Sequence, residues 1–363
     1  MSLALGIETS CDDTAAAVIR RRDDGSCEIL SNVIATDLSG HRPYGGIVPE
    51  IAARSHVELI DRVIGEAVDQ SGHTYSDLHV VAATAGPGLI GAVMVGLTTA
   101  KAIALAHGIA LVPVNHLEGH ALSARMTETA PFPFLLLLIS GGHTQLLRVD
   151  GVGRYRRLGT TIDDAAGEAF DKTAKLLGLG QPGGPMIEQA ATGGRKDRFR
   201  LPEPLRRREG CDFSLAGLKT AVRLAAEALP APSRQDIADI AASFQAALAR
   251  HLAARTARAM DRLEADFGED RLLVVAGGVA ANGAVKSALA AETTARGWRL
   301  IVPPPKYCTD NGAMIAWAGA ERLAAGLAPS PGDALSFAPR ARWPLAVPPA
   351  GRALGGGRKG PKA

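Results

Sequence analysis

Three short patterns occur twice in this chain, in the same order, and that repetition limits the fold more than any single motif does. The first pattern is an apolar strand, a tight polar turn and a second strand. One copy runs from Leu3 to Ile19 with its turn at Thr9–Thr14; the other runs from Phe134 to Val149 with its turn at Ser140–Thr144. Small hydroxyl and glycine residues at such a turn leave backbone N–H groups able to face an anion. The second pattern is strand, Gly-rich turn, helix. It appears at His79–Thr84 with Ala85–Gly88, and again at Arg271–Ala276 with Gly277–Gly283. Here a helix N-terminus would point its partial positive charge at a bound phosphate. The third is a strand rich in Val and Pro that leads into a helix. It occurs at Ile109–Asn115, with a helix from about His116, and at Leu300–Pro305, with a helix after Asp310. Hairpins followed by strand–turn–helix units predict an α/β chain made of two related halves.

The halves differ in length. Leu5 and Val81 are 76 residues apart, whereas their counterparts Leu136 and Leu273 are 137 apart. The excess predicts an insertion in the second half, over about Gly159–Gly217. The expected division is 1–130 and 131–338, with the last helix packing back on the first half. A flexible tail is expected at 339–363. Six basic residues and no acid lie between Arg340 and Ala363, and seven Lys/Arg lie between Arg195 and Arg208. Either segment can meet nucleic-acid phosphates, and either can equally be a solvated surface.

With 363 residues there is room for two cores. Only 4% of the residues are aromatic, too few to supply a stacking platform for single-stranded nucleic acid. The strongest apolar run, Phe132–Ile139, is too short for a bilayer. Four scattered cysteines without a C-x-x-C pair, and no basic leader before the first strand, predict a cytoplasmic protein with no membrane association.

His116 and His120 stand four residues apart and share one helix face, the spacing at which two imidazoles can hold one metal. Alone, such a pair is more often two unrelated polar residues. The duplication adds a third group: related halves place the helix after Asp310 opposite the helix at His116, which brings a carboxylate to the histidines. Asp310 also reads as an N-cap for its own helix. Two His and one carboxylate leave coordination positions open, as a catalytic Zn2+ or Fe2+ site requires. Leu117 stands where a zincin would have its general-base Glu, which argues against a metalloprotease.

Nine ordered stretches carry a closer resemblance. They are Gly6–Thr14 (GIETSCDDT), Tyr44–Glu50 (YGGIVPE), Asn115–His120 (NHLEGH), Ser140–Gln145 (SGGHTQ), Asp163–Lys172 (DDAAGEAFDK), Pro182–Pro185 (PGGP), Phe213–Lys219 (FSLAGLK), Ala276–Asn282 (AGGVAAN) and Tyr307–Gly312 (YCTDNG). Together they resemble the tRNA N6-adenosine threonylcarbamoyltransferase family, once described as O-sialoglycoprotein endopeptidases, over Leu5–Leu323. One departure is Asp13, where many bacterial members have Glu.

The resemblance implies two duplicated RNase H-like domains of the actin/Hsp70/sugar-kinase fold, with a helical insertion in the second. It implies that His116, His120 and Asp310 hold one divalent metal, iron(II) or zinc, and that Mg2+ can accompany a nucleotide. Leu138, Ile139, Ser140, Gly141, Gly142, Asp171, Gly184 and Asn282 are implied to bind threonylcarbamoyl-AMP, with Gly183 and Glu188 nearby. Fold-mates use an acid of the first hairpin for Mg2+ or water, which brings in Glu8, Asp12 and Asp13; Asp12 is the candidate catalytic residue. The implied activity is transfer of threonylcarbamoyl to N6 of adenosine 37 of tRNAs reading codons that begin with A. The implied partners are tRNA, a paralogous dimerisation partner and a small P-loop ATPase. A carbamoyltransferase acting on a small-molecule hydroxyl is the rival, although such chains generally carry a further domain.

Overall fold

The computed structural model describes residues 1–346 apart from 38, 39, 42, 43 and 45. The motif at 44–50 is therefore described only in part, and the expected tail beyond 346 lies outside the described residues.

The first hairpin is β1 (Ser2–Glu8) and β2 (Asp13–Arg21), paired antiparallel with Leu5 opposite Val18. Strand β3 (Cys27–Thr36) extends it, and β4 (Val80–Gly86) and β5 (Ala110–Asn115) add parallel to the other edge of β1. The order is β3-β2-β1-β4-β5. The second sheet repeats it with β6 (Phe134–Ile139), β7 (Thr144–Gly151), β8 (Arg154–Thr160), β9 (Leu272–Ala276) and β10 (Arg299–Ile301), ordered β10-β9-β6-β7-β8. Strands β1, β4, β6 and β9 are near-continuous apolar runs because both faces of each sheet are covered.

Helices α1 (Pro49–Ser71) and α2 (Ile90–His107) cover one face of the first sheet. By length and composition α2 is the one described helix that could cross a membrane. Here it presses Ala92, Val93, Gly96, Leu97, Ala100 and Ala104 inward, and Lys101 donates to the Phe337 carbonyl. The second sheet carries α4 (Ala166–Leu176), α5 (Gly183–Ala190), α6 (Ala216–Glu227), the 34-residue α7 (Arg234–Phe267) and α8 (Gly283–Ala295). Short α3 (His116–Leu122) follows β5, and α9 (Pro305–Cys308) precedes α10 (Gly312–Ala324) and α11 (Pro331–Ser336).

Helix α10 lies on the other face of the first sheet, close enough that no side chain fits at Gly6. A Cβ there would stand 2.2 Å from the Ala316 nitrogen and the Gly312 carbonyl oxygen. Trp317 of α10 is fully buried in the same layer with Ala4, Ala17 and Val112. The chain then crosses the first sheet again. Arg340 N–H donates to the Ala85 carbonyl, and the Asn115 amide donates to the Trp343 carbonyl. Residues 340–346, expected to begin a flexible arm, are tied down by these bonds and by burial of Ala346.

Candidate metal centre and substrate cleft

The hydrogen-bonding amide of Asn115 starts α3: its Oδ1 accepts from Leu117 N–H, which fixes His116 as the first helical residue. His120 follows one turn later, and the rings meet edge to face with centroids 4.8 Å apart. Gly119, between them, makes room for the neighbouring helix, since a Cβ there would lie 2.8 Å from Ile315 Cδ1 of α10. Helix α10 is in turn capped by Asn311, whose Oδ1 accepts from Met314 N–H. The N-cap expected of Asp310 thus belongs to its neighbour, because the Asn side chain reaches the free amide from one residue later. The carboxylate of Asp310 turns instead to the histidines, with Oδ1 3.5 Å from His116 Nε2 and 3.1 Å from His120 Nε2.

Ligand atoms of His116, His120 and Asp310 all lie within 4.8 Å of one another. Two imidazole nitrogens and one carboxylate oxygen suit zinc or iron(II) and leave positions open to substrate. Burial lowers the basicity of His116, but the Glu8 and Asp310 carboxylates outweigh it and raise its pKa to about 9. Asp310 is half-buried, which would raise its pKa, yet it is held well below the ordinary carboxylate range by His116 and His120.

Glu118 points away, as expected of the residue two after His116. Buried, it receives Arg322 at 3.0 Å, the Tyr155 hydroxyl at 2.9 Å and Gly153 N–H. It locks α3 to the β7–β8 hairpin and has no access to the metal groups. Cys11 and Cys308 are outside the ligand cluster; Cys308 Sγ donates to the Pro303 carbonyl. His56 sits between the Thr14 hydroxyl and the Cys11 carbonyl.

The first turn of the cleft, Thr9–Asp13, brings Asp12 and Asp13 to its rim, both half-buried. Burial raises Asp13 to about 6, against the hydrogen bond it receives from the Thr36 hydroxyl. Asp12 is close enough to the second half for its charge to act on Asp171. Asp171 in turn accepts Gly183 N–H at 2.8 Å, holding the start of α5. Gly184 is next, with open space where a side chain would be.

Leu138 and Ile139 are fully buried on opposite faces of the second sheet, so their side chains serve the core and position the turn that follows. In that turn Gly141 is exposed, and neither Gly141 nor Gly142 has a neighbour where a Cβ would stand. The N-terminal amides of α4 are used by this turn: Gly167 and Glu168 N–H donate to the Ser140 and Gly141 carbonyls. His143, just after it, is close enough for its charge to act on Asp310. Asn282 caps α8 through Val285 N–H and donates to Gln245 Oε1 of α7 at 3.0 Å. Glu188 accepts the next amide, Gly283 N–H. Gln245 is the residue here that the sequence did not single out, and Glu8, brought in as an acid of the first hairpin, proves to lie against His116. In the basic cluster, Arg195 and Arg198 are engaged by Asp239, and Arg206 by Glu203, while Arg207 and Arg208 are exposed.

The model of the family described as tRNA N6-adenosine threonylcarbamoyltransferase matches residues 28–317. The chain belongs to that family. It is 57% identical over 361 residues to the enzyme of that name from Rhizobium meliloti (strain 1021), covering 99% of both chains. It is 56% identical to the one from Maricaulis maris (strain MCS10), covering 99% of this chain and 96% of the relative. It is therefore a transferase. Among solved structures, HypF of T.kodakarensis superposes with a TM-score of 0.60 over 92% of this chain and 49% of that one, at 17% identity. That likeness shows the fold, the duplicated α/β arrangement of the actin/Hsp70/sugar-kinase class.

Proposed function

We propose that this chain transfers the threonylcarbamoyl group from threonylcarbamoyl-AMP to N6 of adenosine 37 in tRNAs that read codons beginning with A. The products are N6-threonylcarbamoyladenosine in the tRNA, and AMP. The observation that carries the reading is the convergence of His116, His120 and Asp310, within a chain over half identical to transferases of this name along their whole length.

The substrate is a mixed carbamoyl–phosphate anhydride. The adenosine amine forms a C–N bond to the carbamoyl carbon, the C–O bond to phosphate breaks, and AMP leaves with the electron pair. In the Ser140–Gly142 turn, with Leu138 and Ile139 behind it, Ser140 N–H closes the turn onto the His143 carbonyl, and the N–H groups of Gly141 and Gly142 are the ones that would meet the phosphate and carbonyl oxygens. Asp171 and Gly184 at the start of α5, and Asn282 at the start of α8, frame the adenylate. Asp12, on the opposite rim, takes the proton the amine loses. A divalent cation on His116, His120 and Asp310, iron(II) with zinc as the alternative, would orient the anhydride oxygens and offset negative charge growing on them. Mg2+ would accompany a nucleotide in the same cleft.

In this reading residues 1–130 and 131–338 are the two halves around the cleft, and about 159–217 is an insertion that adapts the second half to its substrate. The protein works in the cytoplasm, with a paralogous dimerisation partner and a small P-loop ATPase.

The test is a reconstituted reaction with purified threonylcarbamoyl-AMP and a tRNA transcript carrying adenosine 37, with the two partners added. Nucleoside mass spectrometry should find the modified base and equimolar AMP with wild type and neither with Asp310→Ala. Turnover of a small hydroxyl acceptor in place of tRNA would favour the rival carbamoyltransferase.

A further inference from the structure

Glu8 lies at the end of β1, 1% exposed, and its carboxylate is surrounded by donors. Ser10 N–H donates to Oε1 at 2.5 Å, the Thr84 hydroxyl donates to Oε2 at 2.5 Å, and His116 Nδ1 lies 2.9 Å from Oε2. The Ser10 hydroxyl is a second, longer neighbour of Nδ1, at 3.2 Å. His120 differs: its ring is fully buried and its Nδ1 has no partner. One imidazole of the pair is thus oriented from behind, at Nδ1, by a carboxylate, and the other has only packing on that side.

We infer that Glu8 is a positioning residue for the metal centre. When the ring is neutral, as a metal ligand must be, Glu8 keeps its one proton on Nδ1, so that Nε2, the nitrogen facing Asp310, is the one left to the cation. A histidine ligand binds through one ring nitrogen, and the hydrogen bond at the other decides which nitrogen is free. An ionised carboxylate can only accept, so it leaves the ring a single neutral form. The inference rests on the proposed metal site and concerns how that site is held in readiness.

The surrounding bonds make Glu8→Gln a sharp test. A glutamine has one oxygen and one NH2. With NH2 in the Oε1 place, two donors oppose each other at Ser10 N–H. With NH2 in the Oε2 place, it faces Nδ1 of His116, which must then accept, and the ring proton moves to Nε2, where the metal should bind. Neither orientation preserves the wild-type pattern. Ser10→Ala is the contrasting variant, since it removes the 3.2 Å hydroxyl and keeps the backbone N–H on Glu8.

The measurement is Zn2+ affinity of the full, metal-stripped chain at neutral pH, by competition with a chromophoric chelator, with melting temperature recorded in parallel. Wild type should bind one Zn2+, Ser10→Ala should match it, and Glu8→Gln should bind about 10- to 100-fold more weakly. Equal affinity of Glu8→Gln and wild type would overturn the inference. Absence of Zn2+ binding by wild type would instead remove the metal site itself. Should Glu8→Gln fail to fold, the ring 15N and N–H signals of Zn2+-loaded wild type decide. A His116 Nδ1–H present and slow to exchange supports the role; a bare Nδ1 refutes it.

Discussion

Replacing Gly6 by alanine tests whether the contact between β1 and α10 sets the metal geometry. The added Cβ would lie 2.2 Å from two backbone atoms of α10, whereas ordinary non-bonded contact begins near ~3.5 Å. The helix or the strand must therefore retreat by about 1.3 Å, and neither obstructing atom can rotate aside because both are backbone. β1 is central in its sheet and α10 is buried along most of its length, so the movement is opposed by packing on both sides. Overpacking costs about 1–3 kcal/mol, and a backbone–backbone clash belongs at about 3. For a domain of this size that is a fall of roughly 6–12 °C in melting temperature. Asp310 stands two residues before α10, so the same displacement would move this proposed ligand out of the roughly 0.2 Å tolerance of a metal site. Differential scanning fluorimetry of the metal-free protein and a Zn2+ titration read the two effects separately. Gly217→Ala is the control: Gly217 is exposed in α6 with nothing within 4 Å, and alanine there should stabilise by about 0.5–1 kcal/mol. Unchanged melting and unchanged Zn2+ affinity for Gly6→Ala would refute this account of how α10 places Asp310.

Other perturbations follow from the same geometry. Asp12→Asn should keep threonylcarbamoyl-AMP binding, read by calorimetry, and lose about 100-fold or more in transfer rate; unchanged turnover removes Asp12 from the mechanism. Because His116 in the metal-free protein holds its proton up to about pH 9, Zn2+ must displace that proton at neutral pH. Affinity should then rise about tenfold per pH unit towards 9 and level off above it, and a flat profile would contradict the assignment. The sign for stability is opposite: the raised His116 pKa stabilises the metal-free fold fully below its ordinary 6.5 and loses that contribution as pH climbs through 9, which melting curves across that window would show. Deleting residues 347–363, which carry four basic residues, should weaken tRNA affinity and flatten its salt dependence; an unaltered slope makes them spectators.

Much of the site was legible because the duplication converts local patterns into spatial ones. Once Ile109–Asn115 and Leu300–Pro305 are equivalent strands, the residues that follow them must face each other, and His116, His120 and Asp310 fall together. What stayed hidden depends on contacts between distant segments. Glu8 and His116 are 108 residues apart, and neither strand periodicity nor motif spacing marks their bond. Asn282 reads as a ligand-binding residue in its motif, yet its capping of α8 and its bond to Gln245 appear only when α7 is placed beside it. Helix α7 itself is alanine-rich and buried on most sides, so it has little amphipathic contrast to read. Strand β8 carries Arg154, Arg156 and Arg157 on a sheet edge, where charge guards against mispairing and disguises the strand. The ion pairs of Glu321 with Arg21 and Arg125 tie α10 to segments 300 and 196 residues away, beyond any local signal.

The most direct test of the central claim is made in the host. The protein is depleted, modified nucleosides in purified tRNA are quantified by mass spectrometry, and the cells are rescued with wild type, His116→Ala or Asp310→Ala. The account predicts that threonylcarbamoyladenosine disappears on depletion, returns with wild type and returns with neither variant. Persistence of the nucleoside at its normal level under full depletion would contradict the assigned transfer, and full rescue by both variants would contradict the metal centre.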